Sequence, residues 1–220
     1  MLDELLIGTN LQRQTLRLYG ELMARRESWA GKLVFACGEG ASATGLAAAV
    51  SIAGGTTLVV DPDLAGVKAV FRQGGVDFVV NTLDEALRVL KNEIRKGRPV
   101  SVALVAEVGA AVAEMVERGV LPDLFVSGRE GEAELLAVER FRMGEGDELV
   151  GWLGERGWME VVLEGATTAA VREVDARLVA MLPEGLRRTW VQRIGHYQRV
   201  LGAGARVVWL TEVERASSGI

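Results

Sequence analysis

Cysteine and histidine are nearly missing from this chain, and their scarcity excludes whole classes of protein. One cysteine, Cys37, excludes an intrachain disulfide, and with the single histidine, His196, it excludes a zinc site made of cysteine and histidine ligands. We therefore expect no metal site. A chain without disulfides suits a reducing compartment, and its first residues lack the basic and apolar pattern of a secretory signal. We expect a cytoplasmic protein.

Basic residues are also fewer than acidic ones. The 220 residues contain 25 Lys and Arg against 30 Asp and Glu, which gives a net charge of −5 at pH 7. This balance argues against a nucleic-acid binder that works by neutralising phosphates. The length predicts a single domain over 1–220, with an N-terminal helical segment over 1–30 and a charged, glycine-rich insertion over 128–157.

One stretch, from Gly40 to Val60, has no charged residue and is about long enough to cross a bilayer. It is rich in small residues, and Gly54 and Gly55 interrupt it near its middle. This composition favours a buried helix, a tight turn and a buried strand over a membrane span, so we expect no membrane partner.

Short β-branched runs alternate with helical patterns along most of the chain. Most of the runs are continuously apolar, as strands are when helices cover both faces of a parallel sheet. The order predicts an α/β fold, a doubly wound parallel sheet of Rossmann-like type with flanking helices and right-handed crossovers. The predicted strands are 32–37, 56–61, 77–81, 100–106, 123–127, 159–164 and 205–211, and the helices between and after them include 64–73, 83–94, 108–118, 168–181 and 186–201.

A glycine-rich turn follows the first predicted strand and opens a helix. Its pattern, G-x-G-x-x-A, is typical of dinucleotide-binding turns in a βαβ unit. Asp61 ends the second predicted strand, 23 residues after the first glycine. The candidate cofactor-binding residues are therefore Gly38, Glu39, Gly40, Ala41, Ser42, Ala43 and Asp61.

Each position of this turn has its own physical role. Gly38 allows the tight turn, Gly40 lets the backbone approach a pyrophosphate, and the small Ala43 lets helix and strand pack closely. The helix N-terminus offers unpaired N–H groups to phosphates, and Asp61 is placed to accept hydrogen bonds from ribose hydroxyls, which favours NAD over NADP. Glu39 puts a negative charge near the same place. Another anionic ligand and a purely structural turn therefore stay open beside the dinucleotide.

Three other features have a chemical interpretation and a structural one. His196 is a candidate acid or base, but no partner carboxylate is identifiable, and a surface or helix-packing role is favoured. Cys37 is either a nucleophile at a helix start or, as we favour, a small buried residue at a strand end. Arg187, Arg188 and Arg193 form a basic run, which we interpret as a solvated helix face rather than an anion site. No catalytic residue is assigned.

Several stretches of the chain have an order and spacing that carry a family resemblance: Gly8-Thr9, 29–38, 83–88 with 97–102, 117–123, 186–191 and 205–210. They resemble urocanase (urocanate hydratase), in particular its NAD-binding Rossmann-like domain. The resemblance implies NAD bound at 38–43 as an electrophile toward the imidazole of urocanate, and hence a lyase of histidine catabolism that hydrates urocanate to imidazolonepropionate. We also expect a homodimer.

The chain departs from that family at identifiable positions. The family's loop GLGGMGGAQ is ACGEGASAT over 36–44, its Asn-Ala pair falls on 107–108, and its acid after the second strand falls at about Val59. The family's catalytic cysteine lies in a core segment that this sequence lacks, and Cys37 does not correspond to it. We therefore expect reduced or no activity from this chain alone; the alternative is a non-catalytic nucleotide- or anion-binding or assembly protein that kept the fold.

Overall fold

A computed structural model describes residues 2–37, 40–126, 140–141, 147–165 and 167–217. The chain divides into two compact units, one of Met1–Arg25 with Gly146–Ile220 and the other of Arg26–Glu145. The first unit begins with helix α1 (Leu2–Arg25). The domain organisation, one domain over 1–220 with an N-terminal helical segment over 1–30 and an insertion over 128–157, stays a prediction. Apart from 140–141, residues 128–146 of that insertion lie outside the described residues.

The unit of Arg26–Glu145 is built on a parallel sheet. In chain order its elements are β1 (Leu33–Cys37), α2 (Gly40–Ala53), β2 (Thr56–Asp61), α3 (Leu64–Gln73), β3 (Phe78–Val80), α4 (Leu83–Arg95), β4 (Val100–Val105), α5 (Val108–Glu117), β5 (Leu124–Val126) and β6 (Arg140–Phe141). From one edge of the sheet to the other the strand order is β3-β4-β2-β1-β5-β6, and every neighbouring pair is parallel. Strand β6 has two residues and was not among the predicted strands.

Helices cover both faces of this sheet, which confirms the doubly wound α/β fold. One face packs against α4 and α5 in a single apolar cluster, in which the rings of Phe35 and Phe125 stack at 5.2 Å. Because side chains alternate along a strand, Ala36 and Val59 face the other side, where α2 contacts β1, β2 and β4 and α3 contacts β3 and β4.

The uncharged stretch of the sequence forms a central helix and strand, as predicted. All ten residues from Ala43 to Ile52 in α2 are buried. The turn that follows needs glycine, because Gly54 has a φ of 92° and a Cβ on Gly55 would lie 2.9 Å from Cγ1 of Val50. Among the described helices, none has the length and hydropathy that a bilayer crossing needs.

The unit of Met1–Arg25 with Gly146–Ile220 contains a two-stranded antiparallel sheet, packed by helices. Its core includes the fully buried rings of Trp190 and Trp209, and a buried arginine, Arg206, whose Nε lies 2.5 Å from Oδ1 of Asp175. After α1 its elements are α6 (Asp147–Glu155), β7 (Met159–Glu164), α7 (Thr168–Met181), α8 (Leu186–Ile194), a 3₁₀ turn (Gly195–Tyr197), α9 (Gln198–Leu201), β8 (Ala205–Leu210) and α10 (Glu212–Ser217).

Candidate functional site

The carboxyl edge of the parallel sheet has a topological switch point. From β1 the chain passes through α2 to β2 on one side, whereas β5 pairs with β1 on the other side and has β6 beyond it. Doubly wound sheets bind their ligands in the crevice at such a point, outside the carboxyl ends of the two strands. The candidate site is therefore at the ends of β1 and β5.

The described part of the predicted glycine-rich motif begins α2, the helix that follows β1. Only Gly38 and Glu39 separate the end of β1 from the start of α2, and both lie outside the described residues. The roles predicted for these two residues stay predictions. The backbone of Gly40, Ala41 and Ser42 begins α2, a helix of 14 residues with no acidic side chain in its first turn.

The first turn of α2 has the properties of an anion-binding helix end. The N–H groups of a first turn have no partner within the helix, and the helix dipole gives them a partial positive charge. Ala43 follows directly and is buried, as close packing between helix and sheet requires. Helix N-termini after the first strand of a doubly wound sheet bind phosphates in many proteins, and a phosphate at this one stays a prediction.

Asp61 is the last residue of β2, the strand that pairs with β1 on the side of α2. Its predecessor Val60 is level with Cys37 in the parallel register, so Asp61 extends one residue further. The residue is 9% exposed, and its Oδ1 accepts a hydrogen bond from the N–H of Asp63 at 2.8 Å. Its Oδ2 has no hydrogen-bond partner among the described residues. One carboxylate oxygen of Asp61 is thus held in place by the backbone of Asp63.

The positions of residues 59 and 61 along β2 show which of them can present an acidic side chain at the carboxyl edge of the sheet. Val59, at about the position where the family resemblance puts the acid, is buried within β2. Residues two apart on a strand share a face, so Asp61 lies on the same face as Val59 but at the end of the strand. The fold therefore presents Asp61, not residue 59, at the carboxyl edge.

Cys37 and His196 do not contribute a recognisable reactive pair. Cys37 is half-buried at the end of β1 and packs against the cluster on the α4–α5 face, in agreement with its predicted packing role. His196 is exposed in a 3₁₀ turn of the other unit, also in agreement with the favoured prediction. Within the described ranges, no three His, Cys, Asp or Glu side chains are grouped as metal ligands would be.

The prediction of a solvated helix face is wrong for Arg187, although Arg193 is exposed as predicted. The Arg187 guanidinium is buried and donates to both carboxylate oxygens of Glu214, at 2.5 and 2.9 Å. It also lies 4.6 Å from the ring centroid of Trp158. The sequence signals only the position of Glu214: Thr211 and Glu214 have the spacing of a capping box, and both of its hydrogen bonds are present at 2.8 and 3.2 Å. No local pattern indicates that Arg187 binds this carboxylate.

A parallel sheet wound on both faces, with a helix start and a carboxylate at its switch point, defines a Rossmann-like α/β domain. The comparison with protein families agrees: residues 8–128, more than half of the chain, match the family model described as the urocanase Rossmann-like domain. The chain belongs to the urocanase family. This confirms both the resemblance and the fold class predicted from the sequence.

Proposed function

We propose that this chain binds NAD, with the pyrophosphate at the N-terminus of α2 and the adenosine ribose at Asp61. The observation that carries the proposal is the place of Asp61 at the end of β2, beside the strand from which the chain enters α2 through two residues. Neighbouring strands lie about 4.8 Å apart, so one nucleoside diphosphate can reach both groups.

The residues at this edge fit the two chemical ends of that ligand. The first turn of α2 has no acidic side chain to oppose a pyrophosphate, and its N–H groups are suited to donate to phosphate oxygens. The Oδ2 atom of Asp61 is suited to accept from a ribose hydroxyl, and the same negative charge would oppose the additional phosphate of NADP.

The proposed part of this chain in urocanase chemistry is to bind and orient the cofactor. In a urocanase, NAD supplies an electrophile for the imidazole ring rather than a hydride acceptor. Cys37 packs toward the α4–α5 cluster and is not placed as a nucleophile toward the α2 side of this edge. We therefore propose low or no hydration of urocanate by this chain alone. We also propose that the chain works as a homodimer in the cytoplasm.

The binding proposal is tested by thermal unfolding and calorimetric titration with NAD⁺. A ligand present at a hundred times its Kd stabilises the folded state by about 2.7 kcal/mol, which is readily measured. Asp61→Asn should weaken binding about tenfold, because hydrogen bonds to a charged group contribute about 1.5–3 kcal/mol. Asp84→Asn, an equal change on the exposed start of α4, should leave the affinity unchanged.

The outcomes separate this proposal from its alternatives. No stabilisation by NAD⁺, or an equal loss in both variants, would overturn it. Stabilisation by ADP or pyrophosphate without any by NAD⁺ would instead favour a binder of another anion at the same helix end. Loss of urocanate absorbance, followed with and without added NAD⁺, tests the activity separately.

A further inference from the structure

A short exposed turn follows the buried Asp61 and links β2 to α3. Its first residue, Pro62, has no N–H group, and the residue before a proline is kept out of the helical conformation, so Asp61 stays extended. The first N–H group along the chain after Asp61 is therefore that of Asp63, which donates to Oδ1 of Asp61 at 2.8 Å. The direction of the Asp61 carboxylate thus depends on where the chain places Asp63.

Asp63 is itself held by the helix that begins after it. Its Oδ1 accepts from the N–H of Ala65 at 2.9 Å and its Oδ2 accepts from the N–H of Gly66 at 3.0 Å, which makes Asp63 the N-cap of α3. Its carbonyl oxygen accepts from the N–H of Val67 at 2.9 Å. The side chain and the carbonyl group therefore tie Asp63 to the first turn of α3, while its N–H group ties Asp61 to the same residue.

The first turn of α3 gives Asp63 a fixed base. Val67 in this turn is buried, and α3 contacts α2, β3 and β4 of the same unit. A Cβ on Gly66 would lie 2.7 Å from Oδ2 of Asp63, so the absence of a side chain at Gly66 lets the carboxylate approach the helix backbone closely. The turn between β2 and α3 is therefore built so that the position of Asp63 follows that of a packed helix.

We propose that Asp63 is a positioning residue for cofactor binding. By capping α3 it holds its own N–H group where that group orients the Asp61 carboxylate toward the adenosine ribose of NAD. This inference rests on the proposed function, in which the ribose binds at Asp61. Asp63 itself does not touch the ligand and acts through Asp61, whereas a cap that served α3 alone would stabilise the fold and leave the affinity for NAD⁺ unchanged.

Calorimetric titration with NAD⁺ and with inorganic pyrophosphate tests this role in two variants of Asp63. Asp63→Ala removes the cap, and its affinity for NAD⁺ should fall about threefold to fivefold, because the loss of an N-cap changes an equilibrium constant by about fivefold. Its affinity for pyrophosphate, which has no ribose, should not change. Asp63→Asn keeps a capping oxygen but removes the negative charge, so its affinity for NAD⁺ should stay near that of the wild type.

Thr82→Ala is the matched control, because it removes the N-cap of another helix of the same unit. Thr82 caps α4 by accepting from the N–H of Glu85 at 3.3 Å, and it is exposed, as Asp63 is. Thermal unfolding should show that both alanine variants are folded and that both have a lower Tm than the wild type. Only Asp63→Ala should bind NAD⁺ more weakly, and an equal loss of affinity in Thr82→Ala would overturn the proposal.

A double-mutant cycle shows whether Asp63 acts through Asp61. In an Asp61→Ala background, Asp63→Ala should cause no further loss of affinity for NAD⁺, because no carboxylate remains to be oriented. The same loss in both backgrounds would overturn the inference, as would an unchanged affinity in Asp63→Ala or an equal loss in Asp63→Asn. A wild-type chain that does not bind NAD⁺ overturns the proposed function and this inference together, whereas binding that is independent of Asp63 overturns this inference only.

Discussion

Cys37 and Asp61 end two neighbouring parallel strands, yet their side chains project from opposite faces of the sheet. Cys37 is level with Val60, and the two residues share the face that packs against α4 and α5. Asp61, one residue further along β2, therefore lies on the face covered by α2 and α3. Of the two candidate polar groups at this edge, only Asp61 lies on the side of the helix whose N-terminus faces the crevice.

The first prediction concerns Cys37. Cys37→Ala should leave NAD⁺ affinity unchanged within experimental error, because the thiol faces the α4–α5 cluster. It should lower the free energy of unfolding by about 1 kcal/mol, as the loss of a small partly buried group does. Calorimetric titration and urea unfolding measure the two effects. A tenfold loss of affinity would contradict this and bring the sulfur into the ligand site.

The sequence alone predicted the first and last residues of elements whose ends have strong local signals. The limits predicted for β2, α3, β7 and α7 agree with the structure residue for residue. Helix α3, for example, begins after Asp63, whose carboxylate accepts from Ala65 and Gly66, and ends at Gly74, whose φ is 84°. These signals act within a few residues, so the sequence displays them directly.

Contacts between distant residues could not be predicted in the same way. The placement of β4 between β3 and β2 depends on which crossovers pack best, and no local pattern reports it. The partner of Arg187 lies 27 residues further along the chain, so a helical charge pattern alone indicated solvent. At the candidate site, the end of β2 predicted Asp61, but the hydrogen bond from Asp63 that orients its carboxylate was not predicted.

A second prediction concerns Gln12, a buried residue of α1. Its Oε1 accepts from the N–H of Val207 at 3.1 Å, and its Nε2 donates to the carbonyl oxygens of Leu201 and Ala205 at 2.9 and 3.0 Å. Gln12→Ala should lower the free energy of unfolding by about 3 kcal/mol, because it leaves buried backbone groups without partners. Urea unfolding measures the loss.

The matched control is Gln14→Ala, since Gln14 is exposed on the same helix. It should change the free energy of unfolding by less than about 0.5 kcal/mol. If the two variants were equally stable, the Gln12 amide would have no role in joining α1 to β8.

A third prediction is the pH dependence of the Arg187–Glu214 pair. Hydrogen bonds from Arg187, and next those from Thr211, hold the pKa of the Glu214 carboxyl below its ordinary value of 4.5. A carboxyl with a lowered pKa in the folded state stabilises that state above its unfolded pKa, and the contribution is lost as the pH falls through the folded pKa. Glu214→Gln should therefore be less stable than wild type at pH 7, and the difference should shrink below about pH 4.5.

Urea unfolding at several pH values measures that difference, with Glu212→Gln as the control. Glu212 is exposed on the same short helix, so its replacement should give a small difference at every pH. A difference for Glu214→Gln that stays the same from pH 7 to pH 3 would contradict the prediction, because the carboxylate charge would then contribute nothing to the pair.

A fourth prediction compares two glycines within helices, at which the same substitution should have opposite effects. A Cβ on Gly20 of α1 would overlap the ring of Trp209 and lie 2.9 Å from Cδ1 of Leu149, whereas a Cβ on Gly151 of α6 would have no atom within 4 Å. Alanine ordinarily stabilises a helix interior by up to about 1 kcal/mol relative to glycine, so Gly151→Ala should raise the free energy of unfolding. Gly20→Ala should lower it by about 1–3 kcal/mol, because the tightly packed ring must move. Urea unfolding of both variants measures the two changes in the free energy of unfolding. A gain in stability for Gly20→Ala like that for Gly151→Ala would show that α1 does not pack closely on Trp209.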